Sequence, residues 1–359
     1  MATRGRPRPW KMLALVMLVG AALIAAGCTR GSEEEETAEA AFPQLEGYEA
    51  MKIPSDNPMS AAKVELGKQL FYDRRLSGDG SRACYDCHLA EHGLTDGQPT
   101  AIGAYEKKLP RSSPTLWNIA YHAEFYWDGR SPSLEAQVKG AWSGGNMGAS
   151  GQDGRPSLED ICAQLNEIQG YRRRFQEVFG GPATPDRVAM TIAAFERTIV
   201  ANNSAWLRFR QGEPTALSEA GRRGGEVFKG KARCVNCHDG LLLTDLQYHN
   251  TGIGWDPRRK ELADLGRYNV TKNDRDRGAF KTPTLLDIAE SAPYFHDGSV
   301  ATLEEAVDLM LQGGRDNPQL DRANLLPPVE LTAQERADLL QFLRELSVDY
   351  TSPRPIPPP

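Results

Sequence analysis

The fold of this chain is decided by two stretches of five residues, Cys84-Tyr85-Asp86-Cys87-His88 and Cys234-Val235-Asn236-Cys237-His238. Each has the form C-x-x-C-H, in which two thiols add to the vinyl groups of a porphyrin and the adjacent histidine is an axial ligand of the iron. The alternatives are a redox-active cysteine pair or half of a zinc site, but zinc requires four ligands and no second pair lies near either motif. The sequence therefore predicts two covalently bound haem c groups.

The composition limits the number of domains and the class of partner. The chain has 359 residues and a net charge of -6, so it is long enough for two domains, and nucleic acid is not an expected partner. Four of its six cysteines lie in the two motifs, so no disulfide framework is expected. Cys162 lies in an apolar helical pattern, and we interpret it as a small buried hydrophobic residue.

The N-terminal segment has the features of an export signal. Basic residues precede an apolar run over 12–26 that ends at Gly27-Cys28, which predicts a lipoprotein signal peptide over 1–28 with Cys28 as the lipid-modified residue. The alternative, an uncleaved membrane anchor, would require a longer apolar run. In both cases we expect the folded part on the periplasmic side of a bacterial membrane, where c-type haem is attached.

Two further segments have a biased composition. Residues 29–50 are acidic and poor in apolar side chains, which predicts a flexible tether. Residues 351–359 are rich in proline, which predicts a disordered tail.

The region between these segments contains an internal repeat with a constant offset of 169 residues. The residues of the first copy that recur unchanged are Pro114-Thr115-Leu116, Ile119-Ala120, Asp128-Gly129, Leu134-Glu135 and Val138. Phe125 recurs as the similar residue Tyr294. The repeat predicts two tandem cytochrome c-like haem domains, over 51–205 and 206–350. Alternating strand patterns are scarce, so the predicted fold class is all-α.

Several helices can be predicted individually. One apolar helical pattern precedes the first motif and ends near 77–80, and another covers 182–202. Thr302 with Glu305 and Thr332 with Glu335 form capping boxes that predict the start of two late helices.

The two halves differ in the residue available as the second axial ligand of iron. Met310 lies on the helix that begins at Thr302, and a thioether there would give an iron with His238 and Met310 as ligands, a pairing that raises the reduction potential. Core packing is the alternative role for a helical methionine. The repeat aligns Met310 with Ala141, which cannot coordinate iron, so the first haem lacks the corresponding ligand.

From about residue 54 to 347 the sequence resembles the bacterial dihaem cytochrome c peroxidase and MauG family. The resemblance is carried by both C-x-x-C-H motifs and by five further segments, which are residues 110–115, 125–130, 134–137, 281–285 and 293–298. It implies a peroxidatic haem in the N-terminal domain and an electron-transfer haem with His238 and Met310 in the C-terminal domain. By the same resemblance Trp127 lies between the haems and Gln137 lies in the peroxidatic pocket.

The resemblance also implies a calcium ion between the domains. Ser291 and Pro293 match two of the family's calcium-binding positions. The asparagine that family members use is replaced here by Ser112.

Two departures from the family concern the peroxidatic haem. Many members have a histidine that caps the iron at rest, and this chain has Ala104 at that position. Members also use a glutamate near Asn146-Met147 to transfer protons, and no carboxylate occurs there. The sequence leaves Glu91, His92 and Asp153 as candidate acids, and it leaves His92 and Met147 as candidate ligands of the first iron.

These features predict an enzyme that reduces hydrogen peroxide to water with electrons from a small cytochrome c or a cupredoxin. One alternative is a MauG-like oxidase that modifies residues of a partner protein, and the missing histidine and glutamate favour it. Another is a dihaem electron carrier without enzymatic activity, which would need six ligands on both irons. The sequence leaves a homodimer open.

Overall fold

Helices are the main regular elements in the computed structural model, which describes residues 42–325 and 328–350. Ten α-helices occur in this part of the chain: α1 Ala61–Phe71, α2 Leu134–Ser143, α3 Leu158–Glu167, α4 Gln169–Phe179, α5 Pro185–Glu196, α6 Ala205–Arg210, α7 Glu219–Lys229, α8 Tyr268–Thr271, α9 Leu303–Leu311 and α10 Ala333–Arg344. None of the described helices is long and apolar enough to cross a membrane. The predicted signal peptide with Cys28, most of the predicted tether and the predicted tail lie outside the described residues.

Four short strands accompany the helices in the described part of the chain. Strand β1 (Tyr248–His249) pairs with β4 (Phe280–Lys281), and β2 (Trp255–Asp256) pairs with β3 (Glu261–Leu262), both antiparallel. The sequence predicted none of them, because a two-residue strand is too short to produce an alternating pattern. The fold is therefore rich in helix with few strands, as the predicted fold class requires.

The first helix of the N-terminal half crosses the last helix of that half at a glycine. A Cβ atom at Gly67 on α1 would lie 1.8 Å from the carbonyl oxygen of Thr191 on α5. Such a distance is far below van der Waals contact, so only glycine allows the two backbones to approach this closely. The crossing fixes α1, which leads to the first C-x-x-C-H motif, against the helix that closes this half.

The same kind of crossing occurs in the C-terminal half. A Cβ atom at Gly224 on α7 would lie 1.9 Å from the carbonyl oxygen of Asp338 on α10. Phe342 of α10 packs edge-on against Trp206, with a distance of 5.7 Å between ring centroids. Helix α7 is thus fixed before the second motif in the same way as α1 is before the first.

The internal repeat is also a repeat of backbone structure. Phe125 bridges Ser131, and 169 residues later Tyr294 bridges Val300. Inside these two loops Tyr126 and Phe295 both have a φ of 68°. Helices α2 and α9 follow the loops at the same offset. A φ this positive is rare for aromatic residues, so the shared conformation confirms that the two segments are structurally equivalent.

The capping boxes are confirmed, whereas one helix is shorter than predicted. The hydroxyl oxygens of Thr302 and Thr332 accept hydrogen bonds from the backbone N–H groups of Glu305 and Glu335. The helix predicted over 182–202 is α5, Pro185–Glu196. The apolar residues that follow it are buried because they pack against a loop, where the Asn118 N–H donates to the Ile199 carbonyl oxygen. Burial outside a helix thus extended the apolar pattern.

Ordered packing begins before the predicted domain boundary at residue 51. Leu45 is 3% exposed, and its N–H donates to the hydroxyl oxygen of Tyr121 at 2.7 Å. It packs in a small cluster with Met51 and Leu207. The last residues of the predicted tether therefore belong to the folded part. Cys162 lies in the main core, as predicted.

We predict that Gly224→Ala destabilises the protein and that its neighbour Gly225→Ala does not. The new methyl group at position 224 would overlap the Asp338 carbonyl, and overpacking of this kind typically costs roughly 1–3 kcal/mol. At position 225 the nearest atom is a ring carbon of Phe342 at 3.5 Å, which is ordinary contact. Thermal unfolding followed by circular dichroism measures both variants, and equal melting temperatures would contradict the assigned crossing.

Candidate functional site

Two cavities contain the histidines of the two C-x-x-C-H motifs. The His88 cavity has a volume of about 440 Å³ and is lined by Cys87, His88, Gln137 and Asn146, among others. The His238 cavity has a volume of about 260 Å³ and is lined by Cys234, Cys237, His238 and Met310, among others. Volumes of this order are typical of sites for small organic ligands and cofactors.

The two histidines are oriented in the same way by the backbone. Nδ1 of His88 lies 3.1 Å from the carbonyl oxygen of Leu94, and Nδ1 of His238 lies 3.0 Å from that of Leu243. Both leucines have a positive φ, which turns their carbonyl groups toward the imidazole. A carbonyl partner requires the proton on Nδ1, so the lone pair is on Nε2, the usual metal-binding atom.

Burial keeps both imidazoles neutral. It lowers the pKa of His88 and of His238, and the backbone carbonyls only partly oppose this effect. A neutral imidazole with a free Nε2 is the form that binds iron. Both histidines thus fit the predicted role of axial ligand.

The four motif cysteines lie close to these histidines along the chain. Cys84 and Cys87 are in a short 3-10 turn, Cys84–Cys87, and Cys234 begins a second one, Cys234–Asn236, which Cys237 follows directly. Burial raises the pKa of the Cys87 thiol to about 11 and that of Cys234 to about 12. A carboxylate oxygen of Asp86 accepts from the Ala83 N–H at 2.7 Å and so closes the first turn.

Unsatisfied polar atoms in the His88 cavity also fit a haem. Nε2 of His122 is buried without a hydrogen-bond partner among the described residues. Nζ of Lys281 lies 3.5 Å from Nδ1 of the same ring, and burial lowers the pKa of Lys281 to about 8. Both residues line the cavity, and a buried cation beside an unpaired nitrogen suits an anionic group such as a propionate.

Trp127 lies in the wall of both cavities. Its Nε1 donates to the carbonyl oxygen of Ser112 at 3.0 Å, and its own carbonyl oxygen accepts from the N–H of Lys281 at 2.8 Å. Trp127 is therefore held through both its indole and its backbone in a wall that the two cavities share.

Ser112 connects the two copies of the repeated loop. Its N–H donates to the carbonyl oxygen of His296 at 2.8 Å, and its hydroxyl donates to that of Phe295 at 2.9 Å. His296 is the repeat equivalent of Trp127, and it is buried with its ring stacked on Phe280 at 3.5 Å between centroids. Burial lowers the pKa of His296 to about 4. One residue thus binds the loop that holds Trp127 and the loop that holds His296.

Charged residues around Trp127 are paired across the two halves. Nη1 of Arg111 binds a carboxylate oxygen of Asp128 at 2.8 Å, and its Nε binds one of Asp264 at 2.7 Å. Asp264 lies in the C-terminal half, and the Arg111 guanidinium contributes to the lowered pKa of its carboxyl. Half-buried ion pairs with several hydrogen bonds hold their partners in a defined geometry.

Two residues at positions that depart from the family pattern, Ala104 and Met147, lie outside both cavities. Ala104 is buried, and its N–H donates to the carbonyl oxygen of Asn146 at 2.9 Å. Met147 belongs to the main core. Gln137 and Asn146, in contrast, line the His88 cavity. In this structure the position of the family's capping histidine packs against the loop that carries Asn146.

None of the three candidate acids taken from the sequence lines either of these two cavities. Glu91 accepts a hydrogen bond from the Tyr85 hydroxyl at 3.1 Å, and Asp153 is exposed. The imidazole of His92 lies beside Gly97. The His88 cavity contains instead Glu196, which the sequence analysis missed. Its signal was a glutamate four residues after Ile192, on the apolar face of a predicted helix.

The residues assigned to a calcium ion line one cavity. Ser112, Ser291 and Pro293 are all in the wall of the His238 cavity.

Among the described residues one group of cysteine, histidine and acidic side chains has metal-binding spacing, Cys237 with Asp245 and His249. Hydrogen bonds to Asp245 and Cys237 raise the pKa of His249 to about 11, and Asp321 adds to the effect. His249 is paired with Asp245 at 3.1 Å and with Asp321 at 2.7 Å, so these residues form an ion-paired cluster beside the second motif.

Comparison with known proteins identifies the relatives of this chain. The sequence pattern of the di-haem cytochrome c peroxidase family matches residues 61–215. The chain is 37% identical to the cytochrome-c peroxidase IdrP1 of Denitromonas iodatirespirans, over 90% of its own length and 91% of that protein. It is 35% identical to the methylamine utilization protein MauG of Methylorubrum extorquens, over 84% and 82% of the two chains. A solved MauG-like protein associated with microbial copper homeostasis has 34% identity and a TM-score of 0.75, over 88% and 97% of the two chains.

We predict that the mature protein contains two haems that remain attached after denaturation. Cys84→Ala/Cys87→Ala and Cys234→Ala/Cys237→Ala should each remove one covalent haem, because each pair supplies the thiols for one porphyrin. Cys162→Ala is the matched control and should retain both. Mass spectrometry under denaturing conditions counts the haems, and fewer than two in the wild-type protein would contradict the assignment of both cavities.

Proposed function

The chain belongs to the di-haem cytochrome c peroxidase and MauG family, and from this premise we propose that it reduces hydrogen peroxide to water in the His88 cavity. The proposal is supported most directly by Trp127, which lies in the wall of both cavities. The family resemblance assigns one iron ligand to the first cavity, His88, and two to the second, His238 and Met310, and each of these residues lines its cavity. A polarizable ring between an open site and a closed site suits electron transfer from the second to the first.

We assign the peroxidatic haem to a domain over 51–205 and the electron-transfer haem to a domain over 206–350, each resembling a cytochrome c. The crossing of α1 with α5 and that of α7 with α10 support this division. Along the chain, each pair of crossing helices lies on either side of one C-x-x-C-H motif. The resemblance to the family assigns His88 as the proximal ligand of the first iron. His238 and Met310 are the two ligands of the second.

Bound haem supplies the iron redox chemistry, and the residues of the chain supply orientation, access and protons. Gln137 and Asn146 provide amide donors and acceptors in the His88 cavity that can orient a small polar substrate. Lys281 and His122 provide polar atoms for a propionate. Reduction of one peroxide molecule consumes two electrons and two protons and yields two molecules of water.

The electron donor enters at the second haem in this proposal. Met310 is 36% exposed on α9, so the edge of the His238 cavity lies near the protein surface. A short distance between this edge and a docked partner suits a small cytochrome c or a cupredoxin. The external donor then reduces the second haem, and Trp127 carries the electrons to the first.

A MauG-like oxidase is the second candidate function. It is favoured by the residue at position 147, where the structure has a buried methionine instead of a carboxylate, and by the similarity to MauG of Methylorubrum extorquens. In that case the oxidising equivalents would leave the two haems toward residues of a partner protein. The methionine at position 310 supports the peroxidase, because the resemblance associates a tyrosine at that position with MauG itself.

Four further assignments remain proposals that rest on the sequence. They are export by a signal peptide over 1–28, lipid anchoring through Cys28 on the periplasmic side of the membrane, a calcium ion near Ser112, Ser291 and Pro293, and a homodimer. The calcium site is supported by the position of all three residues in one cavity wall. The Ser112 carbonyl oxygen also retains a second lone pair beside its bond to Trp127.

We predict that the fully ferric protein reacts with hydrogen peroxide without prior reduction. The position of the capping histidine is Ala104 and the equivalent of Met310 is Ala141, so neither side chain can close the first iron. Electron paramagnetic resonance should show one high-spin and one low-spin haem, and stopped-flow absorbance should show a reaction on mixing with peroxide. Turnover with a reduced small cytochrome c then tests the peroxidase. Two low-spin haems with no reaction until one electron is added would refute the open site.

We predict that Trp127→Phe retains both haems but slows peroxide turnover with an external donor. Phenylalanine fills most of the space of the indole but is much harder to oxidise and cannot donate to Ser112. Trp142→Phe is the matched control, because Trp142 is also buried with its Nε1 bound to a carbonyl oxygen, that of Leu76 at 2.7 Å, and it lines neither cavity. Equal turnover in the two variants would show that Trp127 only fills space.

A further inference from the structure

The wall of the His88 cavity contains a buried carboxyl group for which no role has been assigned. Glu196 is the last residue of α5 and is 5% exposed, and it lines the cavity together with Gln137 and Asn146. Its Oε2 has no hydrogen-bond partner among the described residues. A buried polar atom without a partner typically costs roughly 1–3 kcal/mol, so this carboxyl group is placed to interact with a molecule in the cavity.

Glu196 differs in this respect from the other carboxyl groups of the same wall. Among the described residues, Asp128 and Asp264 are the other acidic side chains that line the His88 cavity. Both are ion-paired with Arg111 at 2.7–2.8 Å. They remain carboxylates that hold the two halves together, whereas Glu196 has no such partner.

The groups around Glu196 do not provide a counterion either. The neighbouring Arg197 is engaged by Glu135, at 2.8 Å between Nη1 and Oε1. Cys84 and Tyr126 also interact electrostatically with Glu196, and the Tyr126 hydroxyl donates to the carbonyl oxygen of Gln137 at 3.0 Å. Arg197, Glu135, Cys84 and Tyr126 are thus the titratable or charged groups that interact electrostatically with Glu196.

Burial raises the pKa of Glu196 to about 8, and the opposing effect of Arg197 is smaller. The side chain is therefore mainly protonated at neutral pH. A neutral carboxyl group presents an O–H donor on one oxygen and an acceptor on the other. It can therefore exchange protons with two atoms of the same small molecule.

We propose that Glu196 is a catalytic residue that transfers protons to and from hydrogen peroxide in the His88 cavity. The inference rests on the proposed peroxidase function, and it gives Glu196 the task for which this chain has no carboxylate at 146–147. Of the side chains placed in the cavity, it alone combines burial, a proton to donate and an unpartnered oxygen.

The proposed proton transfers balance within one turnover. Glu196 donates its proton to the peroxide oxygen that leaves as water, and its other oxygen accepts the proton carried by the second peroxide oxygen. The O–O bond breaks, and the carboxyl group ends the step protonated as it began. The two electrons that O–O cleavage requires would come from the haem held by His88, and two electrons from the external donor, a small reduced redox protein, would restore it. With two protons from solvent the second oxygen also leaves as water, so one peroxide, two electrons and two protons give two molecules of water.

The protonation of Glu196 can be tested without any turnover. Infrared spectra of the diferric holoprotein should contain the C=O stretching band of a protonated carboxyl group, and this band should disappear as the pH rises through about 8, the value to which burial raises the pKa. Glu196→Gln should lack the band. Glu91→Gln should retain it, since Glu91 lies outside both cavities. A band that persists in Glu196→Gln would overturn the inference.

Proton transfer is tested with two probes. The reaction of the diferric protein with hydrogen peroxide should slow about 100-fold in Glu196→Gln, as expected for the loss of a general acid, and remain unchanged in Glu91→Gln. In the wild-type protein this rate should fall as the pH rises through about 8, and the fall should be absent in Glu196→Gln. Hydrogen cyanide must lose its proton to bind iron as an anion, so its association should also be slower in Glu196→Gln.

The outcomes separate this inference from the proposed function. Slow cyanide association in Glu196→Gln would support the inference even if the wild-type protein did not react with peroxide, a result that would refute the peroxidase alone. Wild-type rates with both probes in a Glu196→Gln protein that contains two haems would overturn the inference. If Glu196→Gln loses haem, Glu196→Asp is measured in its place, because aspartate retains a carboxyl group. Loss of haem from both would show that Glu196 holds the cavity together, which also overturns the inference.

Discussion

The two cavities share a wall, and the hydrogen bonds of Ser112 fix that wall. Ser112 accepts from the Trp127 indole and donates to the carbonyl oxygens of Phe295 and His296. These bonds join two copies of one repeated loop. Because Trp127 is also held through its own carbonyl oxygen by Lys281, it has a defined position in the wall that both cavities share. The distance between two redox centres depends on such a wall more than on either cavity alone.

The carboxyl groups near the wall have two different kinds of surroundings. Arg111 with Asp128 and Asp264 forms a half-buried network in which every charge has a partner, and removal of one member would leave an uncompensated charge. Glu196, by contrast, is buried without a counterion, so the neutral form is favoured. The structure thus contains ion-paired carboxylates where the halves meet and a buried carboxyl group without a counterion inside one cavity.

Duplication supplied two similar scaffolds, and a few substitutions made them different. The loops at 125–131 and 294–300 share their bridge and their positive φ values, and a helix follows each. Yet Trp127 is matched by a histidine, Met310 by Ala141, and Glu196 has no counterpart that lines the His238 cavity. The first cavity therefore contains a buried carboxyl group that the second lacks, and the second contains Met310, which the first lacks.

The sequence alone determined the features that are local along the chain. Haem attachment at Cys84, Cys87, Cys234 and Cys237 follows from the spacing of the motifs, the capping boxes from residues three positions apart, and the repeat from a constant offset. The tertiary structure decided what depends on distant contacts: the place of Trp127 in both cavities, the burial of Leu45, and the end of α5 before its apolar pattern ends. It also placed Glu196 in the His88 cavity, whereas the acids nearer the motif in sequence point elsewhere. The physical reason is that covalent geometry and helix capping act over a few residues. A wall shared by two cavities exists only when segments distant in sequence, such as those around residues 112 and 295, meet in the fold. A carboxyl group such as that of Glu196 is likewise buried only when distant segments enclose it.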